Sequence, residues 1–102
     1  MALKLATVVN VDAGETCDVL CDRSSKWGNP FSHRPNTRAQ FQVKTRKEAC
    51  TQYRIWFWKQ DELVKSLHEL RGKRCGCHCK PLECHVDFLV DITNRLMLEL
   101  FI

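Results

Sequence analysis

Seven cysteines in 102 residues, at positions 17, 21, 50, 75, 77, 79 and 84, constrain this chain more than any other feature. An odd number cannot all pair within one chain. The N-terminus, Met1-Ala2-Leu3-Lys4-Leu5, carries one lysine and soon turns polar, so it does not read as a secretory signal. The expected setting is therefore a reducing cytoplasm, where a disulfide framework is disfavoured and the chain must be held by an ordinary hydrophobic core. A hydrophobic share of 44% and a charged share of 27% suit that requirement. The length is that of a single domain, 1–102, and there is no repeat, low-complexity tract or linker to divide it. No apolar run approaches the length of a membrane helix; the longest, near Leu96–Ile102, is broken by Glu99. A net charge of +4 favours anionic partners slightly and is too small to mark a dedicated nucleic-acid binder.

Periodicity and turn chemistry predict an α/β domain. Leu3–Val11 reads as a strand, Asp12-Ala13-Gly14-Glu15 as a turn, and Cys17–Cys21 as a second strand, the short connection suggesting a hairpin. Arg23–Thr45 is polar and reads as a long functional loop. Thr45–Gln60 reads as a helix, with Thr45 as N-cap, Glu48 completing a capping box, and Ala49, Cys50, Tyr53, Trp56 and Phe57 on one face. Trp58 points away from that face. Asp61–Leu70 reads as a second helix stopped by Gly72, and Arg74–Cys79 as a strand that places Cys75, Cys77 and Cys79 on one side and His78 on the other. Helical spacing returns after Cys84, through Phe88, Leu89, Ile92 and Leu96, while Leu96–Ile102 fits either an extension of that helix or an edge strand. The order β-β-α-α-β-α implies a small sheet of about three to four strands with helices packed on it.

Two stretches carry the chemistry. The first, Arg23-Ser24-Ser25-Lys26-Trp27-Gly28-Asn29-Pro30-Phe31, follows a strand, where α/β domains commonly bind ligands. Trp27 and Phe31 offer flat apolar faces, Arg23 and Lys26 positive charge, Gly28 close backbone approach, and Asn29 a hydrogen-bonding amide. An aromatic face beside cations suits a base or sugar carrying phosphate. The plainer alternative is an aromatic-anchored turn, with Trp27 and Phe31 covering the core.

The second stretch is Cys77-His78-Cys79-Lys80-Pro81-Leu82-Glu83-Cys84-His85-Val86-Asp87. One reading takes Cys77, Cys79, Cys84 and His85 as zinc ligands, although the spacing departs from paired metal knuckles. The other puts Cys84 and His85 at the start of the last helix, where backbone N–H groups and the helix dipole favour anions and thiolates. His85 then serves as proton donor or acceptor, Asp87 caps the helix or orients His85, and Lys80 meets phosphate. A redox role for Cys77, Cys79 and Cys84 is disfavoured, because the C-x-x-C spacing is absent.

Together these strings resemble a small uncharacterised family of bacteria and phages whose hallmarks are a WGNPF motif and a C-x-C-K-P-x-x-C-H-x-D motif. The matching residues are Trp27, Gly28, Asn29, Pro30 and Phe31, then Cys77, Cys79, Lys80, Pro81, Cys84, His85 and Asp87. Arg46, Tyr53 and Leu70-Arg71-Gly72-Lys73 also resemble the family pattern, which covers about residues 18–90. One departure is Val86, where the family usually has glycine; its bulk at the helix start is expected to narrow or close a pocket. The resemblance implies a bacterial or phage-encoded cytoplasmic protein and a role for both motifs.

The resulting expectation is a nucleotide-like or phosphate-bearing ligand held between the two motifs, with hydrolase or transferase chemistry as one outcome. Arg23, Lys26, Trp27, Gly28, Asn29, Phe31 and Lys80 form the binding set, Cys84, His85 and Asp87 the reactive corner, and no cofactor is required unless zinc is bound. The competing expectation is a non-enzymatic module, zinc-stabilised or not, that binds a host protein or nucleic acid through Trp58 and the basic residues Arg46, Lys47, Arg54 and Lys59.

Overall fold

The computed structural model describes residues 4–35 and 39–100, with no side-chain description at position 100. Its centre is a three-stranded, wholly parallel sheet in the order β1-β5-β2, where β1 is Thr7–Asn10, β2 is Val19–Leu20 and β5 is Arg74–Cys77. Thr7 stands beside Arg74 and Asn10 beside Cys77, while Val19 and Leu20 stand beside Cys75 and Gly76.

This corrects the expected hairpin. The first two strands do not pair with each other; the late strand β5 lies between them. The reason lies in β5 itself. Cys75, Gly76 and Cys77 are all buried, and a strand buried on both faces belongs in the middle of a parallel sheet. Gly76 makes this position workable, because a Cβ there would lie 2.9 Å from Cys17 Sγ and 3.1 Å from a methyl of Val11. The turn after β1 is a single 3₁₀ turn, Val11–Ala13. Asn10 caps it, and Gly14 closes it at φ +86°.

The stretch expected to be a long loop contains β3 (Phe31–Ser32) and β4 (Phe41–Gln42). They form a separate two-stranded parallel ladder, with the rings of Phe31 and Phe41 stacked at 5.1 Å. Helix α1 (Arg46–Phe57) begins as its sequence indicates. Thr45 Oγ1 accepts from the Glu48 backbone N–H at 3.0 Å, while the Glu48 carboxylate reaches back to the Lys44 N–H at 3.2 Å.

Its buried face is Ala49, Cys50, Tyr53 and Phe57; Trp56 is partly covered and Trp58 is 52% exposed. The expected second helix is shorter. Helix α2 (Asp61–Lys65) passes into a 3₁₀ turn, Leu67–Leu70, that still buries Leu63, Leu67 and Leu70, and Gly72 leaves it at φ +66°. Helix α3 (His85–Leu100) starts where the motif predicts and continues as helix through Leu100; residues 101–102 lie outside the described residues.

Trp27, Tyr53, Phe57, Leu70, Val86 and Leu89 fill the core, together with Cys21, Cys75 and Cys77. Asn94 on α3 fastens the helix to the sheet, accepting from the Ala6 N–H at 2.8 Å and donating to the Ala6 carbonyl at 3.0 Å. With all three strands pointing the same way, residues just past β1, β2 and β5 gather at one edge of the sheet, and the N-terminus of α3 arrives there too.

Candidate functional site

A cleft of about 440 Å³ opens at that edge. Asp12 follows β1, Cys21-Asp22-Arg23 follow β2, and Cys77-His78-Cys79 close β5; Glu83, Cys84 and His85 come from the approach to α3. Asn29, Phe31, Ser32, His33 and Arg34 form one wall, and Arg46, Ala49 and Cys50 of α1 another. The carboxyl edge of a parallel sheet is where α/β domains place ligands, because loops and helix N-termini meet there. Residues of both motifs therefore line one cleft.

The first motif contributes mostly scaffold. Trp27 is 2% exposed and belongs to the core, so it does not wall the cleft as expected. Its carbonyl accepts from the buried Tyr53 hydroxyl at 2.9 Å. Gly28 is also absent from the cleft wall, and its requirement is steric. A Cβ there would stand 2.5 Å from Arg23 Cα and 2.6 Å from the Asp22 carbonyl oxygen. Asn29 lines the cleft, yet its amide is used within the fold, donating to the Ala49 carbonyl at 3.2 Å and accepting from the Phe31 N–H at 2.9 Å. Arg23 binds the Asn29 carbonyl at 2.9 Å and the Phe31 carbonyl at 3.2 Å, which fixes its guanidinium at the cleft wall.

Two expected phosphate partners lie elsewhere. Lys26 pairs with Glu69 at 2.9 Å and sits 5.2 Å from the centre of the Trp27 ring. Lys80 donates to the Val8 carbonyl at 3.1 Å. In their place the cleft has Arg34 and Arg46. Arg46, which the sequence offers as part of the family pattern and of a basic helix face, stands at the first turn of α1 and lines the cleft.

The second motif faces inward. Strand β5 ends at Cys77, so Cys79 leaves the alternating pattern expected of a longer strand. A turn closed by the Leu82 N–H donating to the Cys79 carbonyl at 2.8 Å brings the chain back toward Cys84. Asp87 acts as the helix cap, accepting from the Cys84 N–H at 3.2 Å, and does not line the cleft or orient His85. Val86, expected to crowd the pocket, is fully buried and points into the core.

His85 lies 2.8 Å by Nε2 from the Cys21 carbonyl. A carbonyl only accepts, so Nε2 carries the hydrogen and Nδ1 presents a lone pair, 3.6 Å from Cys84 Sγ. Burial lowers the His85 pKa to about 4, so the ring is neutral at pH 7.

The thiols beside it divide their roles. A hydrogen bond between Cys79 and Cys84 pushes the Cys84 thiol up and, against burial, brings Cys79 down to about 5, the Arg46 side chain lowering Cys79 further. Cys84 has one hydrogen for two acceptors, the Cys79 sulfur and His85 Nδ1. The charged acceptor forms the stronger bond. Cys79 is half-buried at the cleft surface, whereas Cys84 is 6% exposed.

In the same cleft His78 bridges two carboxylates, Asp12 at 2.7 Å and Asp22 at 2.9 Å. Those bonds, Asp22 first, raise the His78 pKa. Burial works to raise Asp22, but hydrogen bonds from Ser24 and His78 outweigh it and leave its carboxyl lowered. Asp12, Asp22 and His78 each lie just past the end of a strand, and no motif in the sequence marks the two aspartates.

Among the described residues, no group of three or more His, Cys, Asp and Glu side chains is arranged to hold a metal ion. On the outer surface, Trp58 packs edge-on against Phe57 and Phe88, and Arg54 sits 5.8 Å from the Phe88 ring centre. Among the described residues, no helix is long and apolar enough to cross a membrane.

A family model described as a domain of unknown function, DUF4326, matches residues 9–95. The chain is 33% identical over 99 residues to an uncharacterised 12.4 kDa protein of the nrdA-td intergenic region of Enterobacteria phage T4, covering 96% of this chain and 86% of that protein. No solved structure matches.

Proposed function

The chain belongs to the DUF4326 family of domains of unknown function, and from that premise we propose that its cleft binds a small phosphate-bearing ligand of nucleotide type, for transfer or hydrolysis. The observation that carries the reading is the meeting of both motifs at the carboxyl edge of the parallel sheet, in a cleft of about 440 Å³ lined by Arg23, Arg34 and Arg46. That volume falls within the range of small-molecule sites, roughly 300–1,000 Å³. Arginine's planar fork suits phosphate oxygens. The carboxylates of Asp12 and Asp22 in the same cleft are both tied to His78. Phe31, already stacked on Phe41, supplies an aromatic wall for a base or sugar.

A thermal-shift series separates this reading from a non-enzymatic module that binds nucleic acid or a host protein. Nucleoside mono- and diphosphates and sugar nucleotides are compared with the bare nucleosides. Phosphate-bearing compounds are expected to raise the melting temperature of the wild-type protein, nucleosides much less. A ligand at about 100 times its Kd adds about 2.7 kcal/mol, which in a domain of this size is a shift of many degrees. The Arg34→Ala/Arg46→Ala variant should lose the response. No shift with any of these compounds, or an equal shift in the variant, contradicts the proposal.

A further inference from the structure

The sequence places the reactive sulfur at Cys84, the residue that adjoins His85. The arrangement in the cleft points to its neighbour across the turn. Cys84 is almost wholly buried, its sulfur lies 3.6 Å from His85 Nδ1, and its hydrogen bond with Cys79 and its burial both push its thiol up. Cys79 is the half-buried one among the buried thiols of the cleft, Cys21, Cys50, Cys77 and Cys84, and it shares the cleft with Arg34 and Arg46; hydrogen bonds with Cys84 and Arg46 favour its thiolate. A thiolate between a guanidinium and a thiol donor is the microenvironment of a reactive cysteine.

We propose that Cys79 is the nucleophile of this cleft, that Cys84 and Arg46 position and hold it, and that its target is an electrophilic carbon of the phosphate-bearing ligand. This rests on the ligand reading above. Sulfur is a soft nucleophile, so carbon is the better target than phosphorus. In the step, the Cys79 sulfur lone pair forms the new S–C bond. The bond from that carbon to the leaving group breaks, and its electron pair departs with the leaving group. The negative charge passes from sulfur to the leaving group, and no oxidant or reductant takes part. Cys84, whose hydrogen bond to Cys79 weakens as the sulfur is alkylated, is then free to turn its hydrogen to His85 Nδ1, 3.6 Å away. Cys84 is in this account a positioning residue.

The experiment is alkylation of the intact, reduced protein with iodoacetamide between pH 5 and 9, each cysteine followed by peptide mass mapping. No ligand is needed, so the result stands apart from the thermal-shift outcome. Cys79 is expected to be the first residue labelled at pH 6, about tenfold faster than an ordinary thiol once the lower nucleophilicity of a low-pKa sulfur is allowed for. Its rate should level off above about pH 6 rather than climb toward pH 9. In Arg46→Gln and in Cys84→Ala the rate at pH 6 should fall and the profile move to higher pH. Urea-unfolded protein should lose the preference. Preferred labelling of Cys84, or Cys79 reacting no faster than the half-buried Cys17, overturns the assignment even if nucleotides bind. Binding without such labelling therefore removes the nucleophile and leaves the ligand site.

Discussion

The two motifs that make this chain recognisable do different physical jobs. In the Trp27–Phe31 turn, almost every distinctive group is spent on the fold: the indole is buried, Gly28 has no room for a Cβ, and the Asn29 amide bonds to Ala49 and Phe31. In the Cys77–Asp87 segment the cysteines and histidines line a cleft, while Lys80 is spent on the Val8 carbonyl and Val86 on the core. Cys79 lies half-buried in that cleft and His85 keeps a lone pair toward Cys84, while Asp87 alone is given to capping. The lesson is that a strong pattern marks strong constraint, and constraint comes from packing as readily as from chemistry. Tyr53 joins the two, since its hydroxyl holds the Trp27 carbonyl and its ring lies 4.8 Å from that of His85.

This contrast can be broken most forcefully at Trp27. If it is a core residue, Trp27→Ala should cost about 3–5 kcal/mol in urea unfolding, with or without ligand, as large-to-small core substitutions do. A variant of wild-type stability that merely loses ligand would return Trp27 to the cleft.

A smaller effect sharpens the other side. His85 has its folded-state pKa depressed to about 4 from an ordinary 6.5. Between those values the unfolded chain binds the extra proton, so this residue's contribution is intact above pH 6.5 and is lost as pH falls toward 4, by at most about 3 kcal/mol. His78 acts with the opposite sign: its raised pKa gives stability fully present below pH 6.5 and lost as pH rises through its folded-state value. The carboxylate of Asp18, lowered to about 2 by its hydrogen bonds to Arg74, loses its contribution only in more acid solution. Urea unfolding of wild type and His85→Gln across pH 4–7 isolates the His85 part. The variant should show the flatter curve, and parallel curves would mean that His85 is not buried as a neutral ring.

The smallest effect is expected at Lys26, which the first motif offers as a phosphate partner. Its exposed pair with Glu69 lies outside the cleft, and exposed pairs contribute little. Lys26→Ala should leave both the unfolding midpoint and the nucleotide thermal shift where they are. A lost ligand response would extend the site toward this side of the loop.

How much of this could be read in advance divides along the range of the interactions. The start of α1 at Thr45, the stop at Gly72 and the start of α3 at His85 rest on contacts within a few residues, and they read correctly. Strand order did not. The pairing of β5 with both β1 and β2 joins residues more than fifty positions apart, and proximity in sequence pointed instead to a hairpin. The two-residue strands β3 and β4 are too short to show a period. Convergence of the motifs on one cleft was legible, because parallel strands send their following loops to one edge. The division of labour between Cys79 and Cys84 was not. It depends on a turn that hands one thiol to the surface and on an arginine from another helix.

The most direct test of the central claim is an amide and side-chain NMR titration of the labelled protein with the nucleotide that gives the largest thermal shift. The account predicts that perturbed resonances gather on Arg23, Arg34, Arg46, the segment from Cys77 to Cys79, and Cys84–His85, while Lys26, Lys80 and the outer face around Trp58 stay still. Saturable perturbations centred on Trp58 and Phe88, with the cleft residues unmoved, would contradict it.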